Sequence, residues 1–152
     1  MYNHKKITLV LLRVFLGILF LSSGISKFTS NFSAESYLLH ATSGPFVHFF
    51  AQMAGNPLVD FLVIYGEIGI GAALLLGVCV RFASAMGVLM MALFYFSAFP
   101  PEHGLVSEHI IYCLSFVMLA SQGAGRLLGL DSYLERGTMI KKHFNVFRFL
   151  LG

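Results

Sequence analysis

Two ionisable residues, Arg13 and Glu67, sit inside long apolar stretches of the chain. A charge at the centre of a bilayer costs at least about 2.5–3.5 kcal/mol, so such residues face a protein interior or a polar cavity. At about 1.5 Å per residue, Arg13 lies roughly 9 Å from the inner boundary and Glu67 roughly 14 Å from the outer one. The remaining gap of about 8 Å is within an arginine's reach. A direct or water-bridged Arg13–Glu67 pair is therefore expected, either as part of a ligand site or as a structural lock. A carboxyl buried in lipid has its neutral form favoured, so Glu67 is also a candidate for proton uptake and release.

A second group gathers at the outer end. Lys27 closes the first apolar run, and Glu108, His109 and Tyr112 open the last, with Glu102 and His103 close by in sequence. One reading is an outward-facing polar pocket lined by Lys27, Glu108, His109 and Tyr112. The other is a set of solvated anchors at helix ends. Metal and haem ligation find little support, and no metal site is assigned. His4, His40, His48, His103, His109 and His143 are scattered, without HxxxH or ExxH spacing. The glycines of Gly66-Glu67-Ile68-Gly69-Ile70-Gly71 fall inside an apolar run, where they serve packing rather than phosphate binding. Cys79 and Cys113 differ in depth by roughly 25 Å, beyond the ~7 Å between Cα atoms that a disulfide tolerates. No cofactor motif is visible.

The elements that must position these residues follow from composition. Of 152 residues, 57% are hydrophobic and 11% charged, with a mean hydropathy of +0.81. A soluble domain of this size cannot hide so much apolar surface, which makes lipid the expected solvent. Nucleic acid is excluded as a partner by the lack of a basic stripe with interleaved aromatics. Four apolar runs, residues 7–28, 58–80, 82–99 and 108–123, approach the ~20 residues a span requires. The predicted fold is an all-α, four-helix membrane bundle.

Lys5, Lys6, Arg81, Arg126, Arg136, Lys141, Lys142 and Arg148 all fall on one side of these spans, and segments 29–57 and 100–107 carry no Lys or Arg. The positive-inside rule then puts both termini in the cytoplasm. Arg13 within the first run, and the length of that run, argue against a cleaved signal peptide. The long outer connection holds Phe46, Val47, Phe49, Phe50 and Met53 at helical spacing. This pattern predicts a short interfacial helix, or a cap folded back over the bundle. Residues 1–135 form the membrane domain. The tail, 136–152, mixes basic and apolar residues and suits either the anionic cytoplasmic leaflet or a frayed end.

Helical geometry places Arg13, Gly17, Phe20, Gly24 and Lys27 within about 40° of one line, making that the inner face of the first helix. In the second helix Gly69, Ala73 and Gly77 form a stripe of small residues, a further close-packing face. Gly71 is expected to leave space near Glu67.

The residues quoted so far sit in a larger pattern. Leu11-Leu12-Arg13-Val14-Phe15-Leu16-Gly17, Phe20-Leu21-Ser22-Ser23-Gly24 and Lys27-Phe28 come first. Gly66-Glu67-Ile68-Gly69-Ile70-Gly71, Leu75-Leu76-Gly77 and Arg81-Phe82-Ala83 follow, and then Gly123-Ala124-Gly125-Arg126 with Leu128-Gly129-Leu130-Asp131. In this order, from about Leu11 to Glu135, they resemble the DoxX/DoxD family, including DoxD-type small subunits of thiosulfate:quinone oxidoreductase. The resemblance implies a four-helix bundle in a prokaryotic cytoplasmic membrane. It offers no agreed catalytic residues; by motif position, Arg13, Lys27, Glu67 and Arg81 are the polar matches. The expected function is a membrane subunit supporting quinone-linked electron transfer, anchoring a redox protein partner or binding quinone. The alternative is a non-enzymatic scaffold or carrier of a lipid-like ligand. A channel or transporter ranks behind both and would need a homo-oligomer.

Overall fold

Asparagine, proline and glycine set the limits of the central helix. The Asn56 side chain accepts a hydrogen bond from the Leu58 amide at 3.0 Å, and Pro57 takes the first helical position, where its missing N–H is not needed. Gly77 ends the helix in the left-handed region at φ 65°, a conformation glycine adopts without a side-chain penalty. A β-carbon there would also lie 2.6 Å from the Arg13 guanidinium and from the Gly129 Cα.

The computed structural model describes residues 2–101 and 104–135. The basic tail, and with it His143, lies outside the described residues, as do Glu102 and His103. The described elements are α1 (Tyr2–Thr29), α2 (Glu35–His40), α3 (Val47–Ala51), α4 (Pro57–Leu76), α5 (Val80–Ser97), α6 (Glu108–Ser121) and α7 (Asp131–Leu134). Short 3-10 turns precede α3 at Gly44–Phe46 and α7 at Ala124–Arg126. No strand forms among the described residues.

Three helices, α1, α4 and α5, are long and apolar enough to cross a membrane. Helix α6 is apolar but has only 14 residues, about 21 Å of rise. Side chains are distributed inside out relative to a soluble protein. Arg13 is 2% exposed, whereas Phe15, two residues on, is 66% exposed. Glu67, Ser84, Ser97 and Asp131 are also buried, while Leu11, Ile18, Phe61, Leu62 and Leu89 face outward. Lipid is the solvent that makes this arrangement favourable.

The expected run 58–80 stops four residues short, because Gly77 breaks it and Cys79, at φ 49°, completes a tight turn. Helix α5 accordingly starts at Val80 rather than residue 82 and ends at Ser97 rather than 99.

Backbones approach closely where α1 crosses α4. A β-carbon on Gly17 would meet Leu75, one on Gly24 would meet Ile68, and one on Gly71 would run into the Leu21 backbone. The inner face read from the sequence for α1 is thus the packed one. The stripe assigned to α4 needs correction. Gly69 has open space beside it, while Gly71, expected to leave room, is the residue in closest contact. The true seam lies at Glu67, Gly71 and Leu74, one helical face round from Gly69. In the second helix pair, Gly87 of α5 sits under the Phe116 ring of α6. Phe116 in turn packs edge-on to Phe20 of α1 at 5.1 Å. Leu16, Ile70, Leu74, Val80, Met91 and Leu119 complete the core.

The outer connection folds back as a cap. Leu38 and Phe50 bury each other with Ala34, against Phe32, Met53 and Val59. The cap is tied down by Ala34 N donating to Asp60 Oδ1 at 2.7 Å, by Ser43 N donating to Ser97 O at 2.9 Å, and by a Tyr37–Ser97 hydroxyl pair at 2.8 Å.

Overpacking a tight contact typically costs about 1–3 kcal/mol. Gly71→Val should therefore lower the thermal midpoint in detergent, whereas Gly69→Val should leave it nearly unchanged. Equal effects from the two substitutions would contradict the seam.

Candidate functional site

The polar residues form two centres, one at each end of the α1–α4 pair. At the end that carries Arg81 and Arg126, named inner after the orientation expected from the sequence and its opposite outer, the chain leaves α6 through Gly123 and returns beneath the helices in a 3-10 turn and irregular backbone. Arg13 provides donors for three carbonyl groups there, of which Ala124 O also accepts from Leu127 N at 3.3 Å. Its Nη1 donates to Ala124 O at 2.7 Å and Leu127 O at 3.1 Å, and Nη2 to Leu128 O at 3.3 Å. Only Nε of this guanidinium is buried without a partner among the described residues.

Asp131 acts from the same segment on a different element. Its Oδ1 accepts from Cys79 N at 2.7 Å, and its Oδ2 from Val80 N at 3.2 Å. It thus caps the first turn of α5, where the helix dipole favours a negative charge. Backbone bonds from Leu130 N to Leu76 O at 3.1 Å and from Asp131 N to Gly77 O at 2.9 Å close the junction. Arg81 reaches across to α6, its Nε donating to Ala120 O at 3.3 Å. On the surface, Arg126 and Glu135 form an ion pair at 2.6 Å.

At the outer end, Lys27 reaches back along α1 to Glu67. Its ammonium donates to Glu67 Oε2 at 2.7 Å, to Glu67 Oε1 at 2.9 Å and to Ser23 Oγ at 2.7 Å. All three donors are thereby used. The Phe32 ring lies 5.7 Å from the same nitrogen. Glu67 is sealed at 5% exposure, whereas the Lys27 side chain keeps 24%.

The expected Arg13–Glu67 pair is therefore replaced by two separate arrangements. Arg13 turns toward the inner end, where it donates to carbonyls of the closing segment. Glu67 is neutralised by Lys27, whose long stem lets a residue near the helix end reach inward. Both residues are buried, as their position in the apolar runs required.

The outer group is not drawn together. Lys27 makes no hydrogen bond with Glu108, His109 or Tyr112. Glu108 is exposed in the first turn of α6. The His109 ring lies edge-on to Phe94 at 6.3 Å, with Nδ1 3.4 Å from Ser107 Oγ, and Tyr112 lies edge-on to Phe20 at 6.5 Å. Asp131 was missed as a functional position, as were the carbonyls of Ala124, Leu127 and Leu128. The one available signal was an aspartate closing a glycine-rich segment; backbone acceptors leave no trace in residue types. Among the described residues, no three of His, Cys, Asp or Glu gather as metal ligands would.

Double-mutant cycles distinguish the two arrangements. Lys27→Met should cost about 3 kcal/mol by leaving Glu67 uncompensated, and adding Glu67→Leu should recover part of that loss. Arg13→Met and Glu67→Leu should instead be additive; coupling between them would restore the pairing first expected. A second test concerns Cys79, in the turn between α4 and α5. Burial, and to a lesser degree the Asp131 charge, push its thiol up from the ordinary value. Thiolate is the reactive form, so alkylation of Cys79 near neutral pH should be slower than that of a free thiol. It should accelerate only at a more alkaline pH, as followed by mass spectrometry.

The DoxX family model matches residues 8–99, which is more than half of the chain and takes in α1 to α5. No curated protein and no solved structure matches. The chain belongs to the DoxX family.

Proposed function

We propose that this DoxX-family chain is an anchoring subunit of a prokaryotic cytoplasmic membrane, holding a redox protein partner of a quinone-linked electron-transfer system. On this reading it crosses the membrane four times with both termini in the cytoplasm, α6 being the shortest span. Lys5, Lys6, Arg81 and Arg126 at one end of the helices support that orientation. A short span is tolerated by local thinning of the bilayer, at a modest cost per ångström. The DoxD-type motifs support the link to quinone chemistry.

The observation that carries the anchoring role is how the intramembrane charges are used. Arg13 is taken up by backbone carbonyls, and Glu67 by both its bonds to Lys27. Groups committed in this way hold a scaffold in shape. A second reading has one observation in its favour. Lys27 remains partly exposed to lipid while touching a protonatable carboxylate, so a quinone carbonyl reaching Lys27 would meet a proton donor there.

The test is gentle extraction of the tagged protein from its native membrane, with mass spectrometry of what accompanies it. A stoichiometric redox protein is the expected outcome; a chain that emerges alone, or only with further copies of itself, would overturn the anchoring role. Glu67→Gln separates the two readings. Quinone-dependent turnover of the complex should persist in this variant, whereas its loss at unchanged protein level would favour a quinone site at Lys27 and Glu67.

A further inference from the structure

A groove of about 610 Å³ runs between α5 and α6 at the end that carries Arg81, walled by Phe82, Ser84, Val88, Phe116 and Val117. Two of its features have no role in the contacts described so far. Ser84 is 1% exposed, yet its Oγ has no hydrogen-bond partner among the described residues. A buried hydroxyl ordinarily finds one, commonly the carbonyl a turn earlier. Arg81 spends Nε on Ala120 O, which fixes its guanidinium at the groove mouth. Its two terminal nitrogens hold no other hydrogen bond among the described residues.

We propose that this groove binds one anionic glycerophospholipid, with the phosphate on Arg81, an ester carbonyl on the Ser84 hydroxyl, and an acyl chain along Val88 and Val117. The order of polarity carries the assignment. Along the α5 axis, Ser84 lies about 4.5 Å and Val88 about 10.5 Å beyond Arg81. Cation, hydroxyl and hydrocarbon thus follow one another into the membrane, the sequence in which a phospholipid presents phosphate, ester and acyl chain. The terminal guanidinium nitrogens suit a phosphate, which they can bind through two parallel bonds. Ser84 is sealed at 1% exposure in the lipid-free chain, so its hydroxyl must turn toward the groove to donate to the ester carbonyl and gain its missing partner. A neutral isoprenoid quinone matches the walls but not the charge at the mouth. The proposal needs the chain to lie in a membrane and is independent of its anchoring role, because lipid retention is read without any protein partner.

Native mass spectrometry of the full chain in detergent, offered equal amounts of dioleoyl phosphatidylglycerol and dioleoyl phosphatidylcholine, tests it. One phosphatidylglycerol per chain should be retained, with a preference of about tenfold. Arg81→Gln should abolish the preference, and Arg81→Lys should keep part of it. Val117→Trp fills the groove from α6 without altering Arg81 or Ser84, and should remove the bound lipid while the thermal midpoint stays close to that of the unaltered chain. Equal retention of the two lipids would overturn the site, as would a preference that survives either Arg81→Gln or Val117→Trp. Displacement of phosphatidylglycerol by an equal amount of ubiquinone would reassign the groove to quinone.

Discussion

One buried guanidinium holds the inner end of this protein together. Irregular backbone cannot exist at membrane depth unless its polar groups are paired within the protein. The segment after α6 departs from α-helical pairing, and Arg13 donates to its Ala124, Leu127 and Leu128 carbonyls, the first of which also accepts from Leu127 N. A planar fork of donors can do this; the single ammonium of a lysine presents a point charge with a different geometry. With the segment fixed, Asp131 stands where it can cap α5, and Leu130 and Asp131 bond to the last turn of α4. The first helix, the turn at Gly77 and the closing segment are therefore parts of one junction, though more than a hundred residues of sequence separate Arg13 from its partners.

The outer end is organised differently. There the cap formed by α2 and α3 has its own small apolar core and is bonded to α4 and α5 through Asp60 and Ser97. Lys27 and Glu67 join α1 to α4 just below it. The two ends share a logic: each intramembrane charge is met by a group that the chain brings in from its own end of the bundle. Between them, Gly17, Gly24 and Gly71 let α1 and α4 touch backbone to backbone, which shortens the distance over which those polar contacts must reach.

Much of this was legible in the residues. Apolar runs marked four helices, of which α1, α4 and α5 are long enough to span and α6 is shorter, and the glycines of α1 identified its packed face. Arg13 and Glu67 were recognisable as buried because lipid penalises any other placement. Their partners were not. Counting rise along straight helices compares depths of Cα atoms, but Lys27 acts at the far end of a four-carbon stem, and the partners of Arg13 are backbone oxygens that any residue type would supply. The stripe at Gly69 misled for a related reason. Spacing identifies small residues on one line of a helix, while only the neighbouring helix decides which line is covered, and here the line of Gly71 is covered. The early end of α4 was in principle readable from Gly77, whose left-handed φ outweighs the continuing hydrophobicity of Val78 to Val80.

The use of these charges also bears on what chemistry the chain can perform alone. For Glu67 to exchange a proton, the carboxylate must shed at least one of two hydrogen bonds to Lys27, and Lys27 must find a replacement in a setting with little water. Arg13 is more constrained still, since releasing it would break three bonds at once to the segment that carries Asp131, the cap of α5. The same bonds that make the bundle rigid are those that catalysis would have to break. Arg81 differs, because it has one bond to α6 and two terminal nitrogens uncommitted at the edge of an open groove. Uncommitted donors are thus found beside α6, whereas the Lys27 donors and the Glu67 carboxylate in the α1–α4 seam are already bonded.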